Sequence, residues 1–276
     1  MASPGQIHNL HIVGKSRSGV YLDGGNLGKL LLPAGEMPAG CATGDSIEVF
    51  IYTGPENRHC ATTRKPYAVA GQFALLTAVA VTPAGAFLDW GLPKNLLAPF
   101  GEQKQKMEPG KSYVVFVYID KKTGRVAASS KLEKYLCRQP PDYSEGQRVD
   151  LLIYDRTPIG FKAIINGTHQ GVLYANDVFQ KVCTGMQVRG YIRKIRDDGK
   201  IDLCLHRPGY TKVGALSKKL LAVLKQQGGF IAITDKSPPE RIYRTFGVSK
   251  KTYKKAAGAL YKQRLITFEK NGIKLR

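Results

Sequence analysis

Two aromatic residues in matching surroundings carry the clearest chemical capacity in this chain. Tyr21 stands in Tyr21-Leu22-Asp23-Gly24-Gly25, and Phe87 stands 66 positions later in Gly85-Ala86-Phe87-Leu88-Asp89-Trp90-Gly91. A flat ring on a strand surface is a platform for an unpaired base, and each stacked base contributes roughly 1–3 kcal/mol whatever its identity. Trp90 is a third candidate ring. Periodicity alone leaves a second reading open, in which these rings fill the cores of small barrels.

Cations supply the complementary chemistry. Arg193, Lys194, Arg196 and Lys200 crowd one hairpin. There they would neutralise phosphates and make binding salt-dependent. The alternative is a solvated turn balanced by Asp197 and Asp198. Further on, Tyr253, Ala256, Ala257 and Leu260 fall at i, i+3, i+4 and i+7, the spacing of a buried helical stripe. Lys251, Lys254, Lys255 and Lys262 then share the opposite face, with Lys250 at the helix start. Such a helix suits a major groove, and lysines without Arg, Asn or Gln favour backbone contact over base reading. A merely solvated lysine face is the alternative.

The whole-chain charge points the same way. Forty-two Lys and Arg against 21 Asp and Glu leave a formal +21, and residues 211–276 hold sixteen of the cations against three acids. An excess of this sign selects an acidic partner, nucleic acid before an anionic membrane surface. The five cysteines are odd in number and form no C-x-x-C, which argues against a disulfide framework or a zinc ribbon. The five histidines are scattered without metal-ligand spacing, and the chain has no G-x-S-x-G, Walker A lysine or paired-carboxylate motif. The expectation is a non-enzymatic, cytosolic protein with no cofactor and no metal. No apolar run approaches the roughly 18 residues of a membrane span, so no membrane partner is expected.

Positioning these residues requires short strands. The 66-residue offset also relates Leu30, Leu31 and Pro33 to Leu96, Leu97 and Pro99, Gly44 to Gly110, and Lys65 to Lys131. A constant period of this length defines a repeated unit. In the first copy, strands are predicted at 7–13, 19–23 and 46–53, followed by a Gly54-Pro55-Glu56-Asn57 turn and a closing strand to Thr63. In the second, strands fall at 73–81, 86–90, 96–99, 112–119 and 125–130, with a helical turn at 102–106. Five short strands and one helical turn describe an OB-type barrel. A third, diverged copy begins near Gln147 at an offset of 75. Gly85 maps to Gly160 and Phe87 to Lys162, while Phe161, displaced by one, turns to the other face. Residues 132–146 read as a linker.

The C-terminal region changes period. Helices are predicted over 213–227, from a Ser237-x-x-Glu240 capping box to Gly247, and from a Ser249 cap to about Gln263. Strands 265–270 and 273–276 then form a hairpin around Asn271-Gly272. The predicted fold is mainly β with a C-terminal α+β domain. Tandem OB-type five-stranded barrels (1–65, 66–135 and 145–208) precede a winged helix-turn-helix (211–276).

Gly85-x-Phe87-Leu88-x-x-Gly91 resembles the second-strand signature of S1-type RNA-binding domains, and Gly110 to Lys131 is similar to the rest of that domain. The resemblance implies that Phe87, and Tyr21 by repeat, face RNA. The family often has a histidine after its third strand, where this chain has Pro33, Pro99 and Tyr174. Three such barrels before a winged helix resemble the bacterial conserved virulence factor B family. Local matches at Lys65-Pro66-Tyr67, Gly199–Leu203 and Ser249–Lys262 support it. That resemblance implies an RNA-binding regulator of gene expression, with single-stranded RNA as partner. The competing expectation is a transcription regulator whose winged helix reads duplex DNA.

Overall fold

The computed structural model describes residues 2–54, 58–175, 178, 180–206 and 212–276, with side chains of 212–215 outside the description. Pro55, Glu56 and Asn57 of the expected turn, and the Val213 side chain, therefore lie outside the described residues. The chain divides into two units, Met1–Cys137 and Arg138–Arg276.

In the first unit, β1 (Ile7–Ser16), β2 (Gly19–Asp23), β3 (Lys29–Pro33), β4 (Ser46–Thr53) and β5 (His59–Thr62) close a barrel in the order β1-β2-β3-β5-β4. Alternation puts Val20, Leu22, Leu30, Leu32, Val49, Ile51 and Ala61 inside. The second set is β6 (Phe73–Thr82), β7 (Gly85–Asp89), β8 (Leu96–Pro99), β9 (Ser112–Ile119) and β10 (Val126–Ser129). It repeats the order as a five-stranded sheet without a β8–β10 ladder. Buried Gln103 ties β8 to the loop that follows it: its Nε2 donates to Ala98 O at 2.8 Å, and its Oε1 accepts from Met107 N at 3.0 Å. The expected helical turn is a single 3-10 turn at Phe100–Glu102, earlier than predicted.

One turn geometry recurs in every barrel. Gly19, Gly85 and Gly160 have φ of +150°, +143° and +150°, and an added Cβ would meet a facing carbonyl oxygen at 2.0, 2.3 and 2.0 Å. Both the backbone conformation and the space exclude a side chain. Gly85→Ala is expected to cost well over about 1 kcal/mol, read as a lowered denaturation midpoint.

The registers correct one sequence equivalence. Thr62 Oγ1 donates to Glu36 Oε2 and accepts from Arg64 N; Ser129 Oγ donates to Glu102 Oε2 and accepts from Lys131 N. Arg64, not Lys65, is thus the counterpart of Lys131. The offset becomes 67 because the turn before β10 is one residue longer. Residues 132–146 are also not linker throughout. Leu132 and Leu136 are buried, and the Tyr135 ring stacks on Phe116 at 4.1 Å.

Glu102 anchors that segment. Burial pushes its carboxyl up, but hydrogen bonds from Lys134 and Ser129 outweigh burial and hold it below the ordinary glutamate value. Its stabilisation is therefore complete above the unfolded-state pKa of about 4.3 and fades as pH falls through the lower folded-state value. Glu102→Gln should be less stable than the parent at neutral pH, with the gap closing toward about pH 3 in urea unfolding curves.

In the second unit, β11 (Arg148–Thr157), β12 (Gly160–Ile165), β13 (His169–Tyr174), β14 (Gln187–Ile195) and β15 (Ile201–Cys204) close a barrel in the order β11-β12-β13-β15-β14. Helices α1 (Lys212–Gln226), α2 (Pro239–Phe246) and α3 (Lys250–Lys262) follow. Strands β16 (Phe230–Ile231), β17 (Ile266–Glu269) and β18 (Gly272–Leu275) form a three-stranded sheet with β18 central. Leu216, Leu220, Leu224, Ile242, Phe246, Tyr253 and Leu260 share its core.

Two local expectations shift here. Ser237 caps nothing: α2 begins one residue late because Pro239 confines Pro238 to extended backbone (ψ 141°), and Ser237 Oγ instead accepts from Thr234 N at 2.9 Å. The hairpin turn is Lys270-Asn271, since Glu269 pairs with Gly272. Gly272 belongs to the strand because a Cβ there would meet Ile231 O on β16 at 2.3 Å.

Candidate nucleic-acid interface

A β-bulge fixes the same outward position in all three barrels. The first strand shifts register between Ile12 and Gly14, between Ala78 and Ala80, and between Ile153 and Asp155. Immediately after it, Gly14 faces Tyr21, Ala80 faces Phe87, and Asp155 faces Lys162. Lys162 is thus the counterpart of the two rings, and Phe161 packs against the third barrel's core.

In the first barrel the row across the sheet is Gly14, Tyr21, Leu31, Cys60 and Tyr52. Tyr21 is 36% exposed, between buried Val20 and Leu22. Gly14, opposite it, has open space where a side chain would stand. Asp23 lies opposite Lys29 one step along. In the second barrel, half-buried Phe87 lies between Ala80 and Leu97. Strands two and three of an OB-type barrel are the face where single strands bind.

Trp90 does not belong to this surface. It is 3% exposed, packs edge-on against Phe50 of the first barrel at 5.4 Å, and donates Nε1–H to Lys94 O at 2.6 Å. Its parity explains this: Ala86 and Leu88 point inward, and Trp90 continues their side beyond the strand end. No base can stack on it.

The third barrel presents charge where the others present rings. Its row runs Asp155, Lys162, Val172, Asp202 and Lys194. Arg193 falls in the bulge between Ile192 and Lys194. Arg196 pairs with Asp202 at 2.9 Å, donates to the Tyr174 hydroxyl, and lies 5.8 Å from that ring's centre. Lys200 pairs with Asp198 at 2.8 Å. Arg196 and Lys200 are therefore committed to internal carboxylates, in line with the balanced-turn alternative. A phosphate would have to compete for them.

Arg58 and Arg125 were missed at sequence level. Gly54 N, Asp120 N and Arg196 N donate to the carbonyls of Arg58, Arg125 and Lys200 at 2.8, 2.8 and 2.9 Å. The three cations thus hold one position before the closing strand. The signal was an offset of 67 rather than 66, hidden by the longer turn.

In α3 the expected stripe is buried: Tyr253, Ala256, Ala257 and Leu260. The Tyr253 hydroxyl donates to Ile233 O at 2.8 Å. Ser249 caps the helix by accepting from Thr252 N at 3.2 Å. Lys251, Lys254, Lys255 and Lys262 are exposed and Lys250 is half-buried. Lys254 lies 3.4 Å from Asp235, and Lys250 donates to Lys236 O. No acid occupies the first turn of α3, where the helix dipole favours negative charge and Lys250 and Lys251 stand, so this end of the helix suits an anion.

Comparison with known proteins follows this anatomy. Residues 4–64 match the S1 domain family, and residues 218–275 match the CvfB-like winged helix domain. Conserved virulence factor B of Staphylococcus aureus is 25% identical, over 98% of this chain and 93% of its own length. The chain thus carries an S1 domain and a CvfB-like winged helix domain, and it is similar to conserved virulence factor B along nearly its whole length. It is also similar to the Bacillus subtilis protein YitL, 26% identical over 98% of this chain and 92% of that one. A Streptococcus pneumoniae crystal structure, described as a multidomain protein with nucleic acid binding domains, aligns over 99% of this chain and 98% of its own, at 22% identity and a TM-score of 0.43. The S1 and winged-helix domains support nucleic-acid binding and are not enzymatic types. Among the described residues no helix is long and apolar enough to cross a membrane, and no cluster of three His, Cys, Asp or Glu stands ready for a metal.

Proposed function

We propose that this protein binds single-stranded RNA and regulates gene expression in the cytoplasm without catalysing a reaction. Four modules share the work, divided near residues 65, 135–145 and 211. The first two barrels stack bases on Tyr21 and Phe87, the third contributes Lys162, Arg193 and Lys194 along the backbone, and the winged helix adds the lysines of α3. The observation that carries this reading is the bulge-fixed position filled by a ring, a ring and a lysine in three successive barrels. Individually weak sites gain affinity when linked on one strand.

Competition tests it. A labelled uridine-rich strand should remain bound in physiological salt when excess duplex DNA is added. Displacement by duplex of defined sequence would favour the transcription-regulator reading instead. Replacing Lys251, Lys255 and Lys262 together by alanine should weaken RNA binding. The slope of log K against log salt should also fall, by up to about 0.7 for each phosphate no longer neutralised. An unchanged slope would assign α3 to another partner.

A further inference from the structure

The seam between the first two barrels lies inside one unit and is held by specific contacts. Ala70 N donates to Gly5 O at 2.8 Å, Gln6 Nε2 to Ala70 O at 2.6 Å, and Tyr67 N to Trp90 O at 2.9 Å. Phe50 and Trp90 meet edge-on, and Tyr52 packs against the second barrel's core cluster. The two stacking rows are therefore fixed relative to one another.

Lys94 lies across this seam. Its carbonyl accepts from Trp90 Nε1, while its amine reaches the first barrel and donates to Thr53 O at 2.9 Å. The Tyr21 row ends beside it, at Cys60 and Tyr52. Val126, at the start of β10, reaches the seam from the other side: a Cβ on Gly5 would lie 3.4 Å from it. Burial first, and then the charge of Arg125, press the Lys94 amine below its ordinary value, against a smaller opposing influence of Cys60. On the residue whose carbonyl Lys94 holds, Thr53, 8% exposed, the hydroxyl is buried and has no hydrogen-bond partner among the described residues. His59 Nδ1, on the residue paired with Thr53 across the ladder, is likewise unpartnered. A cation reaching across the seam, with unspent polar groups beside the carbonyl it holds, defines a place for an anion.

We infer that this seam binds a phosphate of one continuous single strand passing from the Tyr21 row to the Phe87 row, with Lys94 as its principal cation. The inference rests on the RNA-binding reading above and deepens it, because it makes the first two barrels a single site rather than two tethered ones.

The test uses the full chain and two uridine oligomers, one of about 6 nucleotides to fill one barrel and one of about 24 to span two. Lys94→Gln should lower affinity for the long oligomer about fivefold, reduce its salt slope by about 0.7, and leave the short one unchanged. Lys94→Arg should keep the slope. Trp90 is the only tryptophan in the chain, so its emission reports the seam, and it should not move in either variant. An equal loss for both oligomers, an unchanged slope, or a red-shifted Trp90 emission with the slope intact would overturn the inference, the last by making Lys94 a structural clamp. A parent protein that binds the short oligomer and gains nothing from the long one also overturns it while sparing the RNA reading. Binding of neither oligomer removes the RNA reading and this inference together.

Discussion

Alanine at both Tyr21 and Phe87 should lower affinity for single-stranded RNA by about 30-fold or more. On the proposed reading each ring stacks one base at roughly 1–3 kcal/mol, so the pair would remove at least about 2 kcal/mol. The fold should survive. Tyr21 is 36% exposed, and Phe87 lies on the outward side of its strand beside buried Leu88. The single variants should each give a smaller loss, and Tyr21→Phe should retain most of the affinity because the ring face remains. Salt dependence should barely change, since neither ring is charged. Fluorescence anisotropy across a salt series separates this signature from that of the lysine variants, which lose slope as well as affinity.

The second large effect is on stability. Trp90→Ala removes a fully packed ring, its edge-on packing against Phe50, and the donor that satisfies Lys94 O. Deletions of this size cost about 3–5 kcal/mol, and an aromatic pair adds about 0.5–1.5 kcal/mol beyond its buried area. The unfolding midpoint of the first unit should fall on the order of 10 °C by calorimetry. Phe50→Ala should act similarly, and the double variant should cost clearly less than the two singles added, because they break one shared interaction. A loss below about 1 kcal/mol for Trp90→Ala would show that the seam does not hold the barrels together.

The repeat was legible because its markers have steric causes. Gly19, Gly85 and Gly160 stand where a Cβ would strike a carbonyl, so the 66- and 75-residue offsets were written in glycine. The stripe of α3 and its Ser249 cap were equally plain, since helical period and capping are local. What failed depended on neighbours distant in sequence. Trp90 looked like part of an aromatic surface, yet its counterpart in the first barrel is Gly24. Only the second barrel needs a large side chain there, to meet Phe50. The Asn271-Gly272 signal was real chemistry placed one residue late, because Gly272 answers to β16 rather than to the turn. Lys200 pairs with Asp198, as the balanced-turn alternative allowed, but Arg196 finds Asp202 on β15 rather than an acid of its own turn. Charge counting along a chain does not see a pair formed with a neighbouring strand.

The central claim is that two rings held outward by β-bulges take unpaired bases. Ultraviolet crosslinking of the full chain to a uridine-rich strand, with the modified peptides mapped by mass spectrometry, tests it most directly. Adducts on the peptides containing Tyr21 and Phe87 are the predicted result. Adducts confined to α3, with both rings unmodified at saturating RNA, would contradict it.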